Sequence, residues 1–143
     1  MRYTIAGLLA VCSFLTMGMR SCNAPPNADL IPVVAPGQPN NVTGFCKTIN
    51  NQAKIIVVVK NQGAADAVSS NTRVEFSVGG TTVPSAPQNP GRIPAGGSSA
   101  PLIFDIPAGC SSPDCHFKIV VDFDNQTPES NEGNNSADGT CIG

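Results

Sequence analysis

The chain has 143 residues, with 8 Lys plus Arg against 10 Asp plus Glu, 14 Gly, 13 Pro, 6 Cys and no Trp. That length suits one domain. A net charge of −2 leaves no basic surplus to track a phosphate backbone or hold an anionic membrane surface, so no nucleic-acid partner is expected.

Arg2 is followed by an apolar run from Ile5 to Met17, and then by polar Arg20, Ser21, Cys22 and Asn23. A charged start before a short apolar stretch is the pattern of a secretory signal. The run falls short of the ~20 apolar residues that a membrane span needs. Residues 1–24 are read as a signal peptide and residues 25–143 as one domain. Pro25 is unusual after a cleavage site, and Met19-Arg20-Ser21 is a poor lipoprotein motif before Cys22. A lipid anchor on Cys22 and an uncleaved anchor therefore stay open beside simple secretion. Cleavage would remove Arg2 and Arg20, leaving 6 basic against 10 acidic residues, a net charge of −4. No membrane insertion is expected of the cleaved protein.

After residue 24 nothing shows helical periodicity, and short runs alternate with period two. Seven strands are expected: Asp29–Val34, Gly44–Thr48, Lys54–Asn61, Thr72–Val78, Pro101–Ile106, His116–Phe123 and Asn135–Ile142. Residues 54–60, KIIVVVK, are apolar on both faces and suit a central strand. Alternation places Val74, Phe76 and Val78 inward, then Leu102, Phe104 and Ile106, then Phe117, Ile119, Val121 and Phe123. The same alternation turns Asp105, His116, Lys118, Asp122 and Asp124 outward. Gly79-Gly80 fits a tight hairpin, and the Pro- and Gly-rich stretch over residues 84–101 reads as an ordered edge or long connection. Short strands at this spacing define an all-β, antiparallel β-sandwich.

Cys12 and Cys22 go with the signal, leaving Cys46, Cys110, Cys115 and Cys141. An even count in an exported chain reads as disulfides, and four cysteines allow three pairings. Residues 110–115, CSSPDC, lie between two strand-like runs, which favours Cys110–Cys115 and leaves Cys46–Cys141. A zinc site is the rival reading; it lacks a Cys-x2-Cys pair, and His116 is the chain's one histidine.

Residues 121–135, VDFDNQTPESNEGNN, gather four acids and five amides in a chain otherwise poor in charge. Asp122, Asp124, Glu129 and Glu132 offer hard oxygen ligands, so they are candidates for Ca2+, although the spacing is not that of a dedicated calcium loop. Asn125, Asn131, Asn134 and Asn135 suit a connection that hydrogen-bonds its own backbone. Catalysis is disfavoured. The four acids sit too close together on one connection to flank a sugar from two sides, and no serine has a base other than an outward-facing His116. No catalytic residue is assigned.

Four stretches carry a family resemblance: residues 28–34 (ADLIPVV), 55–80 with Val59-Lys60-Asn61-Gln62-Gly63, 93–110 with Ile93-Pro94-Ala95-Gly96-Gly97, and the 120–135 segment. Together they resemble the CARDB domain, the cell-adhesion-related domain found in bacteria. The closing signature corresponds to Asp122, Asn125, Glu129, Ser130, Asn131, Glu132, Asn134 and Asn135. The resemblance implies an immunoglobulin-like seven-stranded sandwich in a secreted or cell-surface setting. The ending at residues 139–143, GTCIG, resembles a subgroup whose last strand is tied back to the start of the domain. The expected role is a non-enzymatic module, with no cofactor, making contacts with an extracellular protein or cell-surface component. The alternative is a Ca2+-dependent binding module that uses the acidic loop over residues 122–135.

Overall fold

In the computed structural model, residues 26–39, 43–110 and 113–143 are described, so the signal expected over residues 1–24 lies outside them. Eight strands form among the described residues: β1 (Leu30–Val33), β2 (Cys46–Ile49), β3 (Gln52–Asn61), β4 (Arg73–Val78), β5 (Thr81–Pro84), β6 (Leu102–Asp105), β7 (Asp114–Val120) and β8 (Ser136–Ile142). The apolar run at residues 54–60 becomes the middle of β3, which organises the first sheet. Its first half pairs with β2 (Cys46 opposite Ile55) and with β6 (Ile55 opposite Phe104). Its second half pairs with β1 (Leu30 opposite Asn61). The second sheet has the order β5-β4-β7-β8, and every pairing in both sheets is antiparallel. Among the described residues no helix is long and apolar enough to cross a membrane.

The sheets meet on their alternating apolar faces. Ile55, Val57 and Val59 from β3 are fully buried, as are Val74 on β4 and Ile119 on β7, with Phe76 and Phe104 nearly so. Each such side chain contributes roughly 1.5–3 kcal/mol by leaving water. Phe45 meets Phe117 edge-on across the core, with ring centroids 6.3 Å apart at 85°. Val78, Ile106 and Phe123, expected inward, are only half-buried: Val78 ends β4, and Ile106 and Phe123 lie beyond the ends of β6 and β7.

Three departures from the sequence reading have local causes. There are eight strands rather than seven, because Gly79 and Gly80, both at positive φ, return the chain into β5. All four residues of β5 are exposed, so it carries no apolar alternation to betray it. β7 stops at Val120 rather than Phe123, and Asp122 is buried rather than outward. Its φ of +47° bends the chain inward just past the ladder. Asn50 and Asn51, both at positive φ, form the two-residue turn that lets β3 begin at Gln52.

Two disulfides fasten this frame. Cys46 on β2 is joined to Cys141 on β8, linking the two sheets across 95 residues of sequence with the Cα atoms 5.7 Å apart. Cys110 is joined to Cys115, closing a loop of sequence separation 5 just before and into β7. Chain-entropy arguments favour the longer ring by roughly 2–3 kcal/mol. Replacing Cys46 and Cys141 by serine should lower unfolding stability by about 2–5 kcal/mol in urea titrations. Replacing Cys110 and Cys115 should cost clearly less. The reverse order would show that the sheet-to-sheet link is not the main covalent constraint.

Candidate functional site

The acid- and amide-rich connection between β7 and β8 folds back against the start of the domain. Asp122 is almost fully buried. Its two carboxylate oxygens accept the Gln126 N–H at 3.0 Å and the Thr127 N–H at 2.9 Å, while its own carbonyl accepts the Asn125 N–H at 2.8 Å. Thr127, also buried, donates its hydroxyl to the Ser69 carbonyl and so pins the loop to the strand entry below it. Asp124 is exposed and accepts from the side-chain amides of Asn71 and Gln126, each at 2.6 Å.

Glu129 reaches furthest. One oxygen accepts the Leu30 N–H at 2.5 Å, and the other accepts the Asn135 Nδ2–H at 2.7 Å. The neighbouring backbone joins in. Ala28 bridges Glu129 in parallel, and the Ser130 N–H donates to the Ala28 carbonyl at 2.9 Å. Glu132 accepts the Glu129 N–H at 3.1 Å, and Asn134 donates to the Asp29 carboxylate at 2.8 Å. Asn131 accepts the Gly133 N–H at 3.0 Å, and Asn125 acts through its left-handed backbone, φ +49°.

The division of labour differs from the one the sequence suggested. Asp122 and Glu132 accept N–H groups of the loop itself and Glu129 accepts the Leu30 N–H of β1; of the loop's amides only Asn131 accepts a backbone N–H. Asn134 and Asn135 instead hold carboxylates in place. A carboxylate offers two oxygens and several lone pairs, and its bonds to N–H donors are charge-assisted, which suits it better than a neutral amide to gathering several donors.

The electrostatics follow from this crowding. Burial pushes the Glu129 carboxyl up from 4.5 to about 7, the bonds from Leu30 and Asn135 work against that, and the nearby charges of Glu132 and Asp122 add to it. Burial likewise raises Asp122, opposed by its two backbone donors and reinforced by Asp124 and Glu132. Among the described residues, no three His, Cys, Asp or Glu side chains are grouped so as to hold a metal ion. Two buried oxygens of this loop, Asn134 Oδ1 and Asn135 Oδ1, have no hydrogen-bond partner among the described residues. His116 stands exposed on the outer face of β7, with Nδ1 2.8 Å from Thr140 Oγ1.

A second constellation was not singled out as a site in the sequence. Asn61, at the end of β3, is fully buried. Its Oδ1 accepts the Asp29 N–H at 3.1 Å and the Gly63 N–H at 3.0 Å, and its Nδ2 donates to Ala65 O at 2.8 Å and Ile93 O at 3.1 Å. Gly63 passes so close to the segment leading into β1 that a Cβ there would lie 2.5 Å from Ala28 C, Asn27 O and Asp29 N. Its sequence signal is the Val59-Lys60-Asn61-Gln62-Gly63 stretch, which carries part of the family resemblance without pointing to a site.

The CARDB family profile matches residues 27–138, and the chain belongs to that family. No curated protein matches it. Among solved structures, it is similar to the CARDB domain of a Pyrococcus furiosus protein crystallised in complex with di-metal ions, with 23% identity and a TM-score of 0.58, over 81% of this chain and 93% of that one. A solution structure of the same archaeal domain gives a TM-score of 0.52 at 23% identity, covering 82% of this chain and 94% of that one. At that identity the likeness establishes the fold.

Removing the Asp122 carboxylate leaves two N–H groups without an acceptor. Asp122→Ala should therefore lose about 2–4 kcal/mol in denaturant unfolding, and Asn131→Ala, which frees one exposed N–H, about 1 kcal/mol or less. Equal losses would refute the assignment of the acid as the principal backbone acceptor.

Glu129 makes stability depend on pH. Its folded value lies above its ordinary one, so the folded state holds a proton that the unfolded state has released between pH 4.5 and about 7. Stability from this group is greatest below pH 4.5 and declines as pH rises through that window. The full shift corresponds to ~3 kcal/mol, and solvent screening of a half-buried group lowers this to about 1–2 kcal/mol. Unfolding curves at the two ends of the window should show wild type losing that much relative to Glu129→Gln. Parallel behaviour of the two proteins would overturn the assignment.

Proposed function

We propose that this protein is a secreted, non-enzymatic sandwich module that acts through protein contacts at the cell surface or in an extracellular matrix. The observation that carries the reading is the commitment of the loop's reactive-looking side chains to the fold. Asp122, Glu129 and Glu132 hold backbone N–H groups, and Asn134 and Asn135 hold carboxylates. Carboxylates engaged in this way are poorly placed to transfer protons to a substrate. Membership of the CARDB family and the two disulfides agree with an exported module.

A second reading is a Ca2+-dependent binding module using residues 122–135. It is favoured by the two buried carbonyl oxygens of Asn134 and Asn135 that lack partners beside Glu129. Adding Ca2+ to the metal-free protein separates the two readings. The contact-module reading expects a melting temperature that Ca2+ does not move, and saturable binding of labelled protein to intact cells that is lost when their surface proteins are digested. A rise of several degrees in millimolar Ca2+, abolished in Glu129→Gln, would replace it with the second reading. A ligand at ~100 times its Kd would add about 2.7 kcal/mol, which such a scan detects.

A further inference from the structure

The two disulfides are not independent. β7 and β8 pair so that Cys115 stands directly opposite Cys141. Both side chains lie on the inner face, in the same core cluster, and are nearly or fully buried. Opposed residues in an antiparallel ladder have Cα atoms roughly 4.5–5.5 Å apart, inside the 4.4–6.8 Å span that a disulfide bridges. The bonded pairs sit in the same span, at 5.7 Å for Cys46–Cys141 and 4.8 Å for Cys110–Cys115. The four cysteines therefore form one unbroken series, Cys46 to Cys141 to Cys115 to Cys110, in which each neighbouring pair is within bridging distance.

Access to this series is one-sided. Cys110, Cys115 and Cys141 are buried at 5% exposure or less, whereas Cys46 is only partly buried at the edge of the core. An incoming thiolate meets Cys46 first. Attack at the Cys46 sulfur expels Cys141 as a thiolate, opposite Cys115 and sheltered from solvent.

We propose that the cysteines act as a thiol–disulfide exchange relay that responds to small thiols outside the cell. In the first step a thiolate RS⁻ bonds to Cys46 Sγ, the Cys46–Cys141 bond breaks, and Cys141 carries the electron pair. In the second, Cys141 Sγ bonds to Cys115 Sγ, the Cys110–Cys115 bond breaks, and Cys110 leaves as a thiolate that takes a proton from water. Two sulfur–sulfur bonds break and two form without net oxidation, and the only co-reactant is the external thiol. The outcome is a different covalent frame. The link between the sheets is gone, β7 and β8 are stapled to each other, and the loop before β7 is open. The relay makes the attachment of one sheet to the other responsive to extracellular thiol.

The experiment uses the exported wild-type protein with reduced glutathione as the thiol, quenched with acid over a time series, alkylated and mapped without reduction. The expected singly modified species carries glutathione on Cys46, a Cys115–Cys141 link, and the alkylated thiol on Cys110. A free thiol on Cys141 with Cys110–Cys115 intact would overturn the relay. So would glutathione on Cys110 or Cys115 with Cys46–Cys141 intact, or the absence of any adduct under native conditions. Cys46→Ser provides a second arm that needs no external thiol. If circular dichroism shows it folded, alkylation should label Cys110 at least as strongly as Cys141; label confined to Cys141 would refute exchange. If it does not fold, the wild-type mapping decides alone.

Discussion

Asn61 holds together segments that the sequence keeps far apart. Its side chain can donate two hydrogen bonds and accept two, and all four are made to backbone groups, from Asp29 and Gly63 and to Ala65 and Ile93. Its own N–H donates to the Gly97 carbonyl at 2.9 Å. One fully buried residue thus joins the start of β1, the exit of β3 and the long crossing between the sheets. A buried amide with any bond unmade is costly, so the segments must arrive in register for Asn61 to be accommodated at all. Gly63 enforces the same condition sterically, since only a residue without Cβ lets the turn pass Ala28 at 2.5 Å from where that atom would stand.

The closing loop extends that junction. Once Asn61 has fixed Asp29, the neighbouring Leu30 N–H is presented to Glu129, and the Ala28 carbonyl to Ser130. Asp29 itself then receives the Asn134 amide through its side chain. The four stretches that carry the family resemblance therefore meet around the first residues of the domain. The signature is the chemistry of one junction, where two sheets, a crossing and a returning loop have backbone groups that no strand ladder can pair.

Much of this was legible in the sequence. Period-two alternation located seven strands to within a few residues, and residues 54–60 announced a strand buried on both faces. What escaped lay where alternation carries no information. β5 is exposed on every residue, so no apolar face marks it. Asp122 follows the alternation of β7 and would face outward if the strand continued, but the strand ends two residues earlier and a left-handed backbone turns it inside. Pattern alone gives the face of a residue only while the ladder lasts. The roles of acid and amide in the loop were exchanged for a related reason. Composition shows that donors and acceptors are abundant there, while their pairing depends on which orphan N–H groups the tertiary fold delivers.

That pairing explains why a chain so poor in charge concentrates carboxylates at this point. Amides alone would fill the loop with as many donors as acceptors, yet the backbone groups its acids meet are all N–H donors, on Gln126, Thr127 and Glu129 within the loop and on Leu30 of β1. Acids correct the imbalance by supplying acceptors without adding donors. The consequence is burial of charge, with mutual repulsion adding to it, visible in the upward displacement of Glu129 and Asp122. The amide of Asn135 offsets part of that cost by donating to Glu129, while those of Asn134 and Gln126 donate to the neighbouring Asp29 and Asp124. Acid and amide are thus required together, the acid because the fold delivers surplus N–H groups and the amide because the acid then needs a neutral donor rather than a cation.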